Sequence, residues 1–123
     1  MYGENNPELA DYFERLGVVL TKEKQFAEAE ANLRKALSLR LLQFAPNHFR
    51  VATTNSFLGA CLADQKKFKE AEPLLVESYP IIKKHFGNVR ETREAGLRLI
   101  ALYESWGKKD KADAIKGELG MTK

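Results

Sequence analysis

The chain writes one stretch nearly twice. Leu16 to Glu30 reads LGVVLTKEKQFAEAE, and 42 residues later Leu58 to Glu72 reads LGACLADQKKFKEAE. Leu-Gly, a Leu three residues beyond the Gly, and Phe-x-Glu-Ala-Glu recur in register. Self-similarity at a fixed period of this length marks an array in which one supersecondary unit stacks on the next. A third, decayed copy follows at an offset of 41, LIALYESWGKKDKAD from Leu99 to Asp113. It keeps Leu99, the small Ala101, Gly107 at the turn and Ala112, but has Lys109 for the Phe and Ile100 for the Gly. The register extends outward as well. Tyr2-Gly3, Phe44-Ala45 and Phe86-Gly87 are equivalent, and each precedes a polar turn.

Within each copy the apolar residues fall at helical spacing. Leu9, Tyr12, Phe13, Leu16, Val19 and Leu20 make one broad stripe. Asn6-Pro7 suits its start, since Asn caps free amides and Pro fits a first turn. The polar run Thr21 to Gln25 predicts its end. Phe26, Ala29, Leu33, Ala36, Leu37 and Leu41 make a second stripe, predicted to reach about Phe44 before Pro46. The second copy predicts a helix from His48 to Ala63 and another from Phe68 to about Phe86. Pro73 and Pro80 lie inside the latter, and Pro80 predicts a kink near residues 78–82. In the third copy Asn88-Val89-Arg90-Glu91 has the form of a capping box. A helix to Trp106, a stop at Gly107 and a short polar-faced helix over about 109–119 complete the pattern.

Two antiparallel helices cannot bury their apolar faces alone, so successive pairs must stack. Gly17 and Gly59 lie inside helices, where Gly is about 0.8–1 kcal/mol worse than Ala. The expected return is close approach of the second helix of each pair, with Ala29, Ala71 and Ala112 as small partners. Phe26 and Phe68 are expected to fill the wedge between pairs. This is a packing code, and nothing in it requires chemistry.

Leu-Gly, an Ala 12 residues after the Gly, then Leu33/Leu75 and Ala36/Ser78 resemble the tetratricopeptide repeat. The usual repeat is about 34 residues; the longer period here is similar to the repeats of kinesin light chains, in segments such as LADQKKFKEAEPLL. The text is also similar to the repeat-rich tails of bacterial serine/threonine protein kinases, in EAEPLL-ES-YP and TREA-LRL-ALYE-WGK. The resemblance covers Tyr2 to Leu119. It implies an all-α fold, a right-handed superhelical solenoid of three antiparallel helix pairs in one array over 1–123, with repeats at about 7–44, 48–86 and 90–119. Asn55 and Gly96 depart from it, standing where the first repeat has Phe13. Tyr2-Gly3 matches the end of a preceding helix, so the chain reads as a piece of a longer array or one begun without a cap.

The resemblance further implies a protein-interaction module that binds a peptide or protein on its concave face. The matching positions are Asp11, Glu14, Val18, Thr21 and Lys22 in the first repeat. In the second they are Thr53, Ser56, Ala60, Ala63 and Asp64, and in the third Glu94, Leu97, Ala101, Glu104 and Ser105. Ser56 stands where kinesin light chains tend to carry a peptide-binding Asn. The alternative is a structural spacer or a self-association module that pairs through its uncapped N-terminal end.

Other functions find little support in the residues. The glycine-rich, His-Arg-Asp and Asp-Phe-Gly signatures of kinases are absent, and no other catalytic constellation, cofactor motif or metal set is present, so an enzyme is not expected. Cys61 is the single cysteine, which excludes an internal disulfide and reads as a small packing residue. His48 and His85 read as helix-end residues. Net charge is +3, with 6 basic and 7 acidic residues up to Ala45 and 14 and 10 beyond it. Lys66, Lys67, Lys69, Lys83, Lys84, His85, Arg90, Arg93 and Arg98 could form a nucleic-acid patch, but interleaved acids and the lack of an aromatic platform argue against one. Trp106 is expected to pack on the last helix. The polar N-terminus and the absence of an apolar run of about 20 residues read as a soluble, cytoplasmic chain with no membrane partner.

Overall fold

A computed structural model describes residues 6–121. Tyr2-Gly3, at the head of the repeat register, lies outside them. A 3-10 turn at Pro7–Leu9 is followed by six α-helices: α1 Ala10–Lys22, α2 Phe26–Leu41, α3 Phe49–Asp64, α4 Phe68–Phe86, α5 Arg90–Ser105 and α6 Lys109–Glu118. They pack as the pairs α1/α2, α3/α4 and α5/α6, and α2 and α4 each also cover the first helix of the next pair. Backbone approaches run from α1 to α3 and from α3 to α5, whereas among the described residues α4 and α6 meet only through side-chain contacts such as Lys111–Glu72 and Tyr79–Glu118. The first helices therefore line the inside of a curved helical solenoid, and the second helices its outside.

The helix ends follow one rule that composition alone hid. Helix α1 ends at Lys22, within the polar run Thr21–Gln25 as expected, and the Thr21 hydroxyl donates back to the Gly17 carbonyl at 2.8 Å in its last turn. The stop is made by Lys24, whose φ is +64°, and Gln25 N–H closes onto Leu20 O at 2.9 Å. Lys66 (φ +65°) and Gly107 (φ +78°) do the same, with Lys67 N–H on Leu62 O and Lys108 N–H on Tyr103 O. Each is a left-handed residue closing a Schellman-type stop. Only the third uses the residue that adopts this conformation without strain.

Three ends differ from expectation. Helix α2 stops at Leu41, and a turn carries Phe44 N–H back to Arg40 O at 2.8 Å. The capping box at Asn88 does not form: α5 begins one residue later, so Val89 occupies the cap and supplies no side-chain bond. Asn6 does cap, accepting from Glu8 N–H at 3.0 Å, but it caps the 3-10 turn rather than α1. Helix α4 runs as one helix through Pro73 and Pro80.

The centre of each pair is a crossing where one side chain occupies the space of another. A methyl group on Gly17 would lie 2.5 Å from Leu33 Cγ and 3.2 Å from the Ala29 carbonyl oxygen. On Gly59 it would lie 2.7 Å from Leu75 Cγ and 3.3 Å from the Ala71 carbonyl. Leu33 and Leu75 are fully buried. The third pair inverts the arrangement. Ile100 fills the Gly position and is buried, while Lys116 replaces the Leu and reaches Glu104 at 2.7 Å. Close approach moves one turn earlier, to Gly96, where Leu119 would meet an added methyl at 2.8 Å.

Pair is tied to pair by the last Glu of the repeated Phe-x-Glu-Ala-Glu. Glu30 accepts from Gln65 Nε2 at 3.1 Å and faces Lys67 Nζ at 3.5 Å. Burial pushes its carboxyl upward, but hydrogen bonds from Gln65 and Arg34 outweigh that and hold it below the usual range. Glu72 accepts from the Tyr103 hydroxyl at 2.8 Å and meets Lys111 at 3.4 Å. The Tyr103 bond, with Lys111, holds Glu72 low, whereas burial and Glu72 push the Tyr103 phenol up to about 12. Beside this tie the Trp106 ring stacks on Phe68 of α4, centroids 5.4 Å apart. That corrects its expected place against the last helix: α5 ends with Trp106 turned toward the preceding pair.

Two predictions follow from this packing. Gly59→Ala gains helix propensity yet should lower unfolding free energy in urea by about 1–3 kcal/mol, because a methyl is forced against Leu75. In a double-mutant cycle with Leu75→Ala the two costs should not add. Tyr103 binds its proton more tightly folded than unfolded, so its contribution to stability is intact below pH 10, the ordinary tyrosine value, and lost as pH rises toward about 12. Ultraviolet titration should show that Tyr103→Phe removes the latest phenol to ionise, together with the steepest part of the alkaline stability loss, while Tyr79, raised by burial and Glu118, stays.

Candidate functional site

The inner sides of α1, α3 and α5 meet at a depression of about 440 Å³. Val18, Thr21 and Lys22 line it from α1, Phe57 and Ala60 from α3, and Glu94, Leu97 and Arg98 from α5. The walls are apolar, with Lys22 and Glu94 at the open surface. Three consecutive repeats thus contribute to one groove, which a single helix pair could not form.

Of the positions that the repeat resemblance implies, Val18, Thr21, Lys22, Ala60, Glu94 and Leu97 come together here. Phe57 and Arg98 were missed. With Arg15 they share one register position, 42 and 41 residues apart, and they continue the stripe Thr53, Ala60, Asp64 at spacings of three and four. The signal was present in the helical period. Position 14/56/97 was taken instead of 15/57/98, a step of about 100° around the helix.

That step explains two corrections. Ser56 is fully buried and cannot touch a ligand; it accepts from Arg98 Nη1 at 3.0 Å. Glu14 also turns inward, its side chain only 12% exposed, and faces Arg40 at 3.5 Å. Ala63 is buried. Asp11 lies outside the groove, paired with Arg15 at 2.8 Å and near Arg40 at 3.6 Å. The Thr53 hydroxyl donates to the Phe49 carbonyl, and Glu104 bridges Lys116. Asp64 is exposed at the end of α3, its carboxyl raised by partial burial against the field of Lys24. Ala101 and Ser105 are exposed beyond the lining.

Two arginines stand at this inner layer in opposite states. Arg40 of α2 is 6% exposed. It faces Asp11 and Glu14, and its Nε donates to Thr54 Oγ1 at 3.0 Å. The Thr54 hydroxyl in turn donates to Glu14 at 2.5 Å, so three helices share one neutralised cluster. Arg98 has no such counter-charge: among the described residues no carboxylate lies within 4 Å of it. Its guanidinium sits 4.2 Å over the Phe57 ring and bonds Ser56. Burial pushes its pKa down, with the fields of Glu94 and Glu14 opposing. It stays cationic at neutral pH.

The remaining candidates separate. His48 caps α3, its Nδ1 accepting from Arg50 N–H at 3.1 Å, and His85 stacks on Phe49 with centroids 3.5 Å apart. Cys61 is buried beneath Phe26, and burial raises its thiol. The basic residues scatter: Arg98 into the groove, Arg90 and Arg93 to the start of α5, and Lys66, Lys67 and Lys69 to the α3–α4 turn. An aromatic pair does accompany that turn, Phe68 on Trp106, contrary to expectation, with Lys108 Nζ 3.7 Å over the Trp106 ring. Among the described residues no group of three His, Cys, Asp or Glu could hold a metal ion, and no helix is long and apolar enough to cross a membrane.

A family model matches the part of the chain that holds the first two helix pairs. The tetratricopeptide repeat model covers residues 3–84, more than half of the chain. The chain belongs to the tetratricopeptide repeat family. No curated protein matches it. Tetratricopeptide repeats are a non-enzymatic scaffold that mediates protein–protein interaction. On the inner face here, the Arg98 guanidinium over the Phe57 ring stands at the groove.

The Arg40 cluster yields a stability prediction. Arg40→Ala strands the buried Glu14 and should cost about 3–5 kcal/mol in chemical denaturation. Adding Glu14→Gln should recover part of that loss, because the uncompensated charge is gone.

Proposed function

We propose that this tetratricopeptide array is a protein-interaction module that takes an extended peptide across α1, α3 and α5. The observation that carries the reading is Arg98: a half-buried guanidinium at an apolar groove, braced by Ser56 and Phe57 and lacking a carboxylate partner. Such a group favours an acidic side chain or a chain-terminal carboxylate, in a geometry Arg can meet with two parallel bonds. Val18, Phe57 and Leu97 would take an apolar side chain next to it. The groove stands ready in the folded chain, so little ordering opposes binding. No catalysis is assigned to the module. The longer repeat period supports a likeness to kinesin light chain repeats, though the Asn expected from that likeness is Ser56, which serves Arg98 instead.

Selection from a displayed library of random peptides tests this. Peptides enriched on the intact chain should carry an acidic residue beside an apolar one. Their affinity, read by fluorescence anisotropy, should fall about 10- to 100-fold in Arg98→Ala, the range of a charge-assisted hydrogen bond. Lys84→Ala, on the outer helix α4, should leave it unchanged. Enriched peptides that bind Arg98→Ala equally well would sink the reading.

A further inference from the structure

The helices of each pair are antiparallel, so the α2–α3 and α4–α5 turns lie along one edge of the array and the turns within pairs along the other. Exposed apolar side chains mark the first edge. Leu41 and Leu42, at the end of α2, are 44% and 69% exposed, and Val89, before α5, is 51% exposed. At the turns within pairs, Phe26, Phe68 and Trp106 are half-buried. Leu41 and Leu42 are in register with Lys83 and Lys84 of α4, which are exposed although a complete pair precedes α4. These positions therefore face solvent by their place on the helix, whatever precedes the first pair. A ladder of rings fixes the edge from behind. Phe44 stacks on His48 at 4.2 Å, His48 on Phe49 at 4.7 Å, and Phe49 on His85 at 3.5 Å. The charge around the tips is positive: residues 41–50 and 83–93 hold Arg50, Lys83, Lys84, Arg90 and Arg93 against Glu91 alone. Arg90 comes only to 3.9 Å of Glu91 and Lys83 to 4.0 Å of Glu118. Among the described residues Lys84 and Arg93 make no ion pair. Glu8 and Glu118 also lie toward this edge and leave it positive.

We propose that this edge docks on the surface of an anionic lipid bilayer. Leu41, Leu42 and Val89 enter the boundary between headgroups and acyl chains, and Lys84, Arg90 and Arg93 meet the anionic headgroups. This goes beyond peptide capture in the inner groove and uses different residues. Two features favour a bilayer over a protein partner. The apolar side chains stand at the tips of turns, with no hollow around them, and a protruding leucine suits a phase that yields to it. Basic residues flank those tips in two successive repeats, so apolar burial and attraction to an anionic surface act together. The opposite edge carries lysines as well, but it lacks apolar tips. There Lys67, Lys109 and Lys111 are already held by Glu30, Asp113 and Glu72. The sequence led to the expectation of no membrane partner because no apolar run could span a bilayer. Docking on its surface needs no such run. The inner groove lies on the sides of α1, α3 and α5, so it stays open while the turns touch lipid.

Cosedimentation with vesicles at physiological salt tests this. The chain should bind vesicles of equimolar phosphatidylcholine and phosphatidylserine and leave those of phosphatidylcholine alone. Lys84→Ala should weaken binding about fivefold, the effect of one basic residue near such a surface. Leu42→Ser should weaken it about tenfold or more. Both side chains are exposed, so the helical circular dichroism of each variant should match that of the parent. Lys69→Ala at the opposite edge and Arg98→Ala in the inner groove should leave vesicle binding unchanged, which keeps this test separate from that of the peptide groove. Lipids with brominated acyl chains read the orientation. They should quench the fluorescence of a tryptophan introduced by Leu42→Trp and spare the native Trp106, which ends α5 at the other edge. Failure to sediment with the mixed vesicles overturns the proposal. So does binding indifferent to Leu42→Ser or Lys84→Ala, or quenching confined to Trp106. Binding to soluble polyglutamate but not to vesicles overturns it as well, in favour of an acidic protein at this edge.

Discussion

The rest of the structure depends on one steric condition: at the crossing of each of the first two helix pairs, only one side chain fits. Leu33 and Leu75 occupy volume that a single methyl on Gly17 or Gly59 would contest. The local cost is about 0.8–1 kcal/mol of helix propensity per glycine. In exchange the helices approach until the carbonyls of Ala29 and Ala71 lie just beyond the glycine. The third pair shows that the condition concerns shared volume rather than glycine itself. Ile100 takes the space, Lys116 withdraws to Glu104, and Leu119 inserts over Gly96 instead. The space at the crossing is filled by a different set of side chains, the kind of exchange a close-packed core tolerates.

Because each crossing sets the distance within a pair, it also sets where the motif's other residues emerge. Phe26 and Phe68 come out at the turn between helices. There Phe68 meets Trp106, and the Phe26 carbonyl lies over Cys61. Glu30 and Glu72 emerge one turn later and receive the next pair through different donors, Gln65 and Lys67 in one case and Tyr103 and Lys111 in the other. A constant acceptor with variable donors lets a repeat propagate while its surface changes. The left-handed stops at Lys24, Lys66 and Gly107 keep the turn geometry the same throughout.

Much of this was legible in the text of the chain. The 42-residue register and the period of about 3.6 residues located all six helices, and the buried glycines announced the close crossings. What failed was local and rotational. A capping box was read at Asn88, yet the helix starts at Arg90, because a box pattern cannot say which residue leaves the helix first. Inner-face positions were taken one residue early at Glu14, Ser56 and Leu97. Leu97 still reaches the groove, whereas Ser56 is buried behind it. Arg98 was counted among surface cations because no sequence pattern distinguishes a solvated arginine from one held over an aromatic ring.

The contrast between Arg40 and Arg98 shows why that distinction bears on function. Both guanidiniums leave water in part, which opposes folding unless the lost hydration is replaced. Around Arg40 the replacement is complete: two carboxylates and a hydroxyl converge on it, and nothing remains for a ligand. Around Arg98 it is incomplete. One donor goes to Ser56, and the face of Phe57 offers a quadrupole rather than a charge. An incoming carboxylate would therefore gain more at Arg98 than at the exposed Lys22 nearby, where water already solvates the ammonium and screens the field. The electrostatic preference of the groove is thus concentrated at one atom group, beside the apolar wall that would hold the adjoining side chain. A scaffold assembled from packing residues acquires a directional preference by leaving one half-buried charge without a carboxylate at ion-pair distance.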